Sequence, residues 1–335
     1  KAIYYEGRVV TWRELRDFSE RLATALVDIG VKKDDMVSVR LPTSLQFAIS
    51  IWGISRTGAI QTWTSTMFKK PELIEQYNMA NVETCIILDT DLDLINSIKA
   101  ETRLKNIIVT SVDDYTAKEG AKPEKIDGAY QFRNLIENYP PNPPKVDKYP
   151  ERRDEVTRFT GGATGKPKGV MLSHYSITSA FESAFFPLLG PLTDVIRGKD
   201  LPIMEGMLMF HLGGYLYFWG TQLGLPQILI RDNRDYPAMI KAIKEYHPVL
   251  ELLVPVQWMN VYKEIGISPM LGISAAAPIP SAVEKDIELK TSAAMFQGYG
   301  LSESNAIITA NLSVLSHILP GGEKTLELLG KLMPL

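Results

Sequence analysis

An α/β fold with a mainly parallel sheet is predicted by three observations. Short apolar runs with strand character alternate with amphipathic helical patterns along most of the first half of the chain. The runs include the apolar stretch Thr84 to Leu88 and a buried-strand candidate at Val249 to Val254. Small-residue and glycine-rich stretches follow several of them, where ligands sit in parallel α/β sheets.

The elements follow in order. Thr11-Trp-Arg-Glu14 has the capping-box spacing, with Thr11 as N-cap and Glu14 at N3. Leu15, Phe18, Leu22, Leu26 and Ile29 then recur at helical spacing until Gly30 stops the helix. Met36 to Leu41 reads as a strand, Ser44 to Arg56 as a largely apolar helix, and Ala59 to Trp63 as a strand. Pro71 suits the first position of the next helix, Pro71 to Ala80. Strand Thr84 to Leu88, helix Leu92 to Ala100 and strand Asn106 to Thr110 complete this run. Tyr139-Pro-Pro-Asn-Pro-Pro-Lys145 is a semi-rigid surface connection. Glu155 to Phe159 is strand-like, and Val170 to Ala180 reads as strand and then helix. Arg231 to Pro237 is polar and turn-rich. Further on, strands are expected at Val249 to Val254, Met270 to Ser274 and Ala293 to Phe296, with helices at Val256 to Ile265 and Pro280 to Leu289. No internal repeat is visible.

The bulk numbers narrow the function class. The 335 residues suffice for about two domains of roughly 150 residues each. A net charge of −3 without a long basic run carries no nucleic-acid signature. The single cysteine, Cys85, lies in an apolar run and reads as a buried small hydrophobe, which fits a reducing, cytoplasmic setting. Gly206 to Ile230 has no formal charge and the length of a membrane span. Its five glycines, Pro226, His211, Gln222 and Gln227 make a buried, substrate-lining segment the better reading, so no transmembrane segment is expected.

Three clusters carry the chemistry. Arg158-Phe-Thr-Gly-Gly-Ala-Thr-Gly-Lys-Pro-Lys-Gly169 packs four glycines, two threonines and two lysines together with no acid. Glycine backbone admits close approach, successive N–H groups form an anion cradle, and lysines add positive charge. The nucleotide P-loop spacing fails, because Thr160 and Pro167 stand where Gly and Ser or Thr are required. Pro167 also disfavours helix at Lys166, so no helix dipole opens on the loop. A surface turn is the plain alternative. Ser274-Ala-Ala-Ala-Pro-Ile279 and Gln297-Gly-Tyr-Gly-Leu-Ser-Glu303 read as loops at strand ends. The first suits a flat ring lying against the backbone. In the second, Tyr299 can stack on a base, Ser302 can donate to phosphate and Glu303 can hold Mg²⁺ facing phosphate oxygens. Their plain readings are a core aromatic and a solvated carboxylate.

In this order, the clusters resemble those of the adenylate-forming (ANL) superfamily: AMP-forming acyl-CoA synthetases, luciferase-type enzymes and peptide-synthetase adenylation domains. The family's loop is matched by Thr160, Gly162, Thr164, Gly165, Pro167, Lys168 and Gly169, with Gly161 and Lys166 in the same loop. Its adenine turn is matched by Ala276, Ala277 and Pro278. Its Tyr-Gly-x-[Ser/Thr]-Glu motif is matched by Tyr299, Gly300, Ser302 and Glu303, preceded by Gln297 and Gly298. His211 and Gly214 match a mid-chain His-x-x-Gly, and Tyr5 to Leu15 resembles the N-terminal signature.

The resemblance implies two stacked βαβ-type subdomains with mainly parallel sheets. Residues 1–335 would be a truncated large N-terminal AMP-binding domain, with approximate subdomains 43–189 and 1–42 with 190–335. It implies ATP, Mg²⁺ and CoA as cofactors or co-substrates and a carboxylic acid as partner. The activity implied is that of a fatty-acid–CoA ligase, with His211, Ser302, Glu303 and Lys168 in catalytic positions and Glu303 on the metal. His211 would close the acyl or pantetheine channel, where the plain reading is a hydrogen-bonded core histidine. Amino-acid-activating relatives carry an Asp near this region, whereas Met209 to Trp219 contains no acid, which favours an apolar acyl chain. Medium- or long-chain fatty acid is the first expectation. An aryl acid, a luciferase-type oxygenation and a non-catalytic nucleotide- or acyl-binding module are the alternatives. The reading is compatible with a homodimer and with peripheral membrane contact. Two features depart from the family. Gly161 and Ala163 replace loop hydroxyls, each worth about 0.5–1.5 kcal/mol of net hydrogen bonding. No Thr-Gly-Asp occurs, and the C-terminal domain with its catalytic Lys is expected to be absent.

Overall fold

The structure is a computed structural model, and it describes residues 1–118, 126–146, 154–160, 168–183, 196–268, 270–305 and 308–310. It divides into two compact units. The first contains Lys1–Thr178 and Leu208–Gly214, and the second contains Ser179–Met207 and Tyr215–Leu335.

The first unit opens with an antiparallel hairpin, β1 (Ile3–Tyr5) and β2 (Arg8–Val10), absent from the sequence reading. Helix α1 (Trp12–Asp28) starts with the predicted capping box: Thr11 Oγ1 accepts from Glu14 N–H, and Glu14 accepts from Thr11 N–H at 2.8 Å. Leu15, Leu22 and Leu26 are buried, and Leu22 packs against α2 (Leu45–Thr57). Gly53 admits this contact, since a Cβ there would lie 2.7 Å from Leu22 Cδ2. Helices α1 and α2 pack closely against each other within the first unit.

The sheet of this unit runs β7-β6-β5-β3-β4-β8-β9. Its members are β3 (Met36–Arg40), β4 (Ile60–Trp63), β5 (Thr84–Leu88), β6 (Asn106–Thr110), β7 (Tyr130–Gln131), β8 (Asp154–Thr160) and β9 (Lys168–Ser173). All pairings are parallel except the β8–β9 hairpin. Crossovers include α3 (Lys70–Ala80), α4 (Leu92–Ile98) and α5 (Phe132–Asn138), and residues 174–183 are helical (α6). Cys85 is buried as predicted, in a cluster with Tyr77, Ile87, Ile95 and Ile107, and this burial pushes its thiol pKa up.

In the second unit, strands run β15-β14-β13-β12-β10-β11. They are β10 (Ile203–Glu205), β11 (Gln227–Leu229), β12 (Leu250–Leu253), β13 (Leu271–Ser274), β14 (Ala294–Tyr299) and β15 (Thr309–Ala310). All neighbours are parallel except β14 and β15. The helices are α7 (Leu212–Leu223), α8 (Tyr236–Tyr246), α9 (Pro255–Ile265) and α10 (Ser281–Thr291). The uncharged segment from Gly206 resolves into α7 and β11. Among the described residues, no helix is long and apolar enough to cross a membrane.

Candidate active site

The glycine-rich loop joins β8 to β9. The last pair of that antiparallel ladder sets Thr160 opposite Lys168, so both flanks of the loop are pinned by sheet register. A strand follows the loop, in keeping with a proline that disfavours helix at the residue before it. Lys168 and Gly169 are exposed. Gly161, Gly162, Ala163, Thr164, Gly165, Lys166 and Pro167 lie outside the described residues, as does the side chain of Thr160.

A polar network holds the base of this hairpin. Glu155, on β8, is buried and accepts from Gln61 Nε2 on β4 at 2.7 Å. Its other oxygen lies 2.7 Å from His174 Nε2, just past the end of β9. Gln61 Oε1 in turn accepts from Trp63 Nε1 at 3.0 Å. The Trp63 ring lies against Gly214, where a Cβ would come within 2.4 Å of the ring and of the Met209 carbonyl oxygen. Gly214 of the His-x-x-Gly pattern is therefore a packing requirement. His211 is exposed in the turn before α7, with its N–H donating to the Leu208 carbonyl at 2.9 Å.

In the second unit, the structure brings together the other two clusters. Ser274 ends β13 and stands in register with Gln297 of the neighbouring parallel β14. The adenine-turn candidates Ala276, Ala277 and Pro278 are exposed at the carboxyl end of β13. Ala276 sits at φ +70°, a left-handed conformation costing an L-residue about 1–2 kcal/mol. Such local strain collects at ligand-binding turns. The Ser274 hydroxyl oxygen is buried without a partner among the described residues. Gln297 braces the turn: its Oε1 accepts from Ile279 N–H at 3.3 Å and its Nε2 donates to Glu284 at 3.0 Å.

One correction concerns the third cluster. Gln297, Gly298 and Tyr299 were expected in a loop, but they belong to β14. The strand continues past its parallel partner because Gly298 and Tyr299 pair antiparallel with Ala310 and Thr309 of β15. The loop begins only at Gly300. Tyr299 is 61% exposed, leaving its ring open to stacking. Ser302, Glu303 and Ser304 form one 3-10 turn, closed by Asn305 at φ +56°. The Tyr215 hydroxyl at the start of α7 donates to the Ser302 carbonyl at 3.5 Å. Glu303 is exposed and engages no hydrogen bond or ion pair among the described residues. Among those residues no group of three or more metal-ligating side chains occurs.

A family model described as "AMP-binding enzyme" matches residues 1–334. The chain belongs to this AMP-binding enzyme family. Among its relatives, a long-chain-fatty-acid–CoA ligase of Bacillus subtilis is 28% identical over 92% of this chain and 58% of its own length. A 4-coumarate–CoA ligase of Vanilla planifolia is 23% identical over 91% of this chain and 54% of its own. The solved structure of the anthranilate CoA ligase AuaEII, in complex with anthranoyl-AMP, superposes with a TM-score of 0.80 at 21% identity. It covers 92% of this chain and 58% of that one, and at this identity the likeness establishes the fold. The chain thus spans somewhat over half the length of these relatives.

The sequence reading missed two functional candidates. Glu205 and Glu251 are fully buried, and neither carboxyl has a hydrogen-bond partner among the described residues. Burial raises both pKa values, that of Glu251 to about 8. The signal was present: each is a lone acid inside a short apolar strand run.

Proposed function

We propose that this AMP-binding chain belongs to an ATP-dependent acid–thiol ligase that converts a carboxylic acid to an acyl-adenylate and then to a CoA thioester. The observation that carries this reading is the pairing of the strained turn at Ala276 with the Tyr299–Glu303 stretch at the carboxyl ends of adjacent parallel strands. In the proposed reaction the substrate carboxylate attacks the α-phosphate of ATP in line and pyrophosphate leaves. The CoA thiol then displaces AMP. Such a transfer is served by alignment and charge neutralisation more than by a protein nucleophile. Lys166 and Lys168, with the backbone of the 160–169 loop, would hold the triphosphate, and Ser302 would donate to a phosphate oxygen. Ala276, Ala277 and Pro278 would face the adenine, with Tyr299 stacked on it, and His211 would border the acyl or pantetheine path.

Glu303 fits a Mg²⁺ held largely by substrate phosphates, since one free carboxylate suffices for such a site. When bound there, the ion supplies neutralisation of the phosphate charge. A medium- or long-chain fatty acid is the first substrate reading, supported by the acid-free, aromatic α7 segment and by the name of the Bacillus relative. An aryl acid is the second, favoured by the 4-coumarate relative.

The deciding experiment is ATP–pyrophosphate exchange by the full-length protein across a panel of fatty and aryl acids. Exchange that requires both an acid and Mg²⁺ is expected. ATP–Mg²⁺ binding without any acid-dependent exchange would overturn the ligase reading in favour of a nucleotide-binding module.

A further inference from the structure

Glu205 is the last residue of β10, at the carboxyl end of three parallel strands, β11, β10 and β12. It is fully buried, and neither carboxyl oxygen has a hydrogen-bond partner among the described residues. Burial raises its pKa, and it makes no ion pair among the described residues. The face on which it stands is set by its neighbours. Ile203, two residues earlier, meets α7, since a Cβ at Gly220 would lie 2.3 Å from Ile203 Cδ1. Gln227, in register with Ile203, donates to the Tyr217 carbonyl at 3.1 Å and to Thr221 Oγ1 at 3.0 Å. Strand alternation places Glu205 on that same face, aimed into the layer between β10 and α7.

Buried Tyr215, Tyr217, Phe218 and Trp219 lie along α7. Tyr215 also ties the start of α7 to the Ser302 turn, so this layer adjoins the proposed adenylation site. Glu251 differs. It is in register with Met204 and Gly272, on the opposite face, where a Cβ at Gly272 would meet Trp258 of α9.

A carboxyl buried without a hydrogen-bond partner is unfavourable even when neutral. Such groups are few in native proteins and each calls for an explanation, a functional role being one. A neutral carboxyl offers one donor and one acceptor, and its closest complement is a hydroxyl, which offers the same pair. We propose that Glu205 is a specificity-determining residue that hydrogen-bonds a hydroxyl on the acyl part of the substrate, so that the preferred substrates are hydroxylated carboxylic acids. The proposal rests on the adenylation reading and narrows it. With an unsubstituted acid Glu205 would stay unpaired, the situation in which hydrogen-bonding sites discriminate most strongly.

The test measures kcat/KM for pyrophosphate release by the full-length protein with matched acids: dodecanoate and its positional hydroxy isomers, and benzoate with 4-hydroxybenzoate. At least one hydroxy acid is expected to exceed its parent by about tenfold or more. Glu205→Leu is expected to bring that ratio to near one, and Glu205→Gln, which keeps a donor and an acceptor, to preserve part of it. No preference in the native protein, or an unchanged ratio in both variants, would overturn the proposal. Absence of turnover with every acid would count against the ligase reading. Melting-temperature shifts with the same acid pairs then judge Glu205 separately, and equal shifts in the native protein and Glu205→Leu would overturn its role.

Discussion

Glu251 carries the clearest pH consequence in the molecule. Its carboxyl ionises near 4.5 when unburied and at about 8 in the folded chain, because burial removes it from water. Between those values the folded state keeps a proton that the unfolded state has released, so stability falls as pH rises from about 4.5 to about 8, and is then flat. The loss is on the order of 4–5 kcal/mol at 1.36 kcal/mol per unit. Urea unfolding across that range should show the decline, and Glu251→Gln should flatten much of it. Glu205 acts with the same sign, so a residual slope is expected in the single variant. Glu303 sits at the other extreme, exposed and without a bonded neighbour among the described residues. Glu303→Gln is expected to reduce Mg²⁺-dependent adenylation about tenfold or more while leaving acyl binding largely intact. Equal losses in exchange and in acid binding, followed by calorimetry, would remove it from the metal site. At this scale, Ala276–Pro278, Tyr299, Ser302 and Glu303 stand out in sequence because small, aromatic and charged residues there break the apolar rhythm. Glu205 and Glu251 were overlooked because the same apolar rhythm hides a single acid within a strand.

Elements were readable where local chemistry decides them. The capping box at Thr11 forms as its spacing requires, and the strands 84–88 and 106–110 fall where their apolar runs lie. The β1–β2 hairpin and the two-residue β7 escape such reading because they are too short to show periodicity, and β7 is held by its pairing with β6. The extension of β14 through Tyr299 has the same origin, since its partner β15 supplies the bonds. Gly214 shows how packing overrides local preference. Alanine favours a helix interior by about 1 kcal/mol over glycine. Yet a Cβ at this position meets Trp63 and the Met209 carbonyl at 2.4 Å. Gly214→Ala is therefore expected to destabilise the protein by about 1–3 kcal/mol, measured as a shift in urea midpoint at unchanged slope. A stabilised variant would show that the turn at His211 can move to make room.

For the whole molecule, the family assignment predicts a ligand linkage. ATP with Mg²⁺ at about 100 times Kd should raise stability by roughly 2.7 kcal/mol, read as a higher Tm. The shift should require the nucleotide and not the acid; a shift produced only by acids would point to an acyl-binding module. The sequence by itself determined the α/β class, the order of most strands and helices, the single buried thiol and the resemblance to the AMP-binding enzyme family. These depend on propensity, periodicity and motif spacing, all of which are local along the chain. Only the tertiary structure decided that the two strands flanking the glycine-rich loop pair with each other, that Gln297 braces the Ala276 turn, and that two carboxyls without partners among the described residues stand on opposite faces of one sheet. Those facts depend on which strands become neighbours and which face each residue takes, and burial then sets the electrostatics of every group enclosed there.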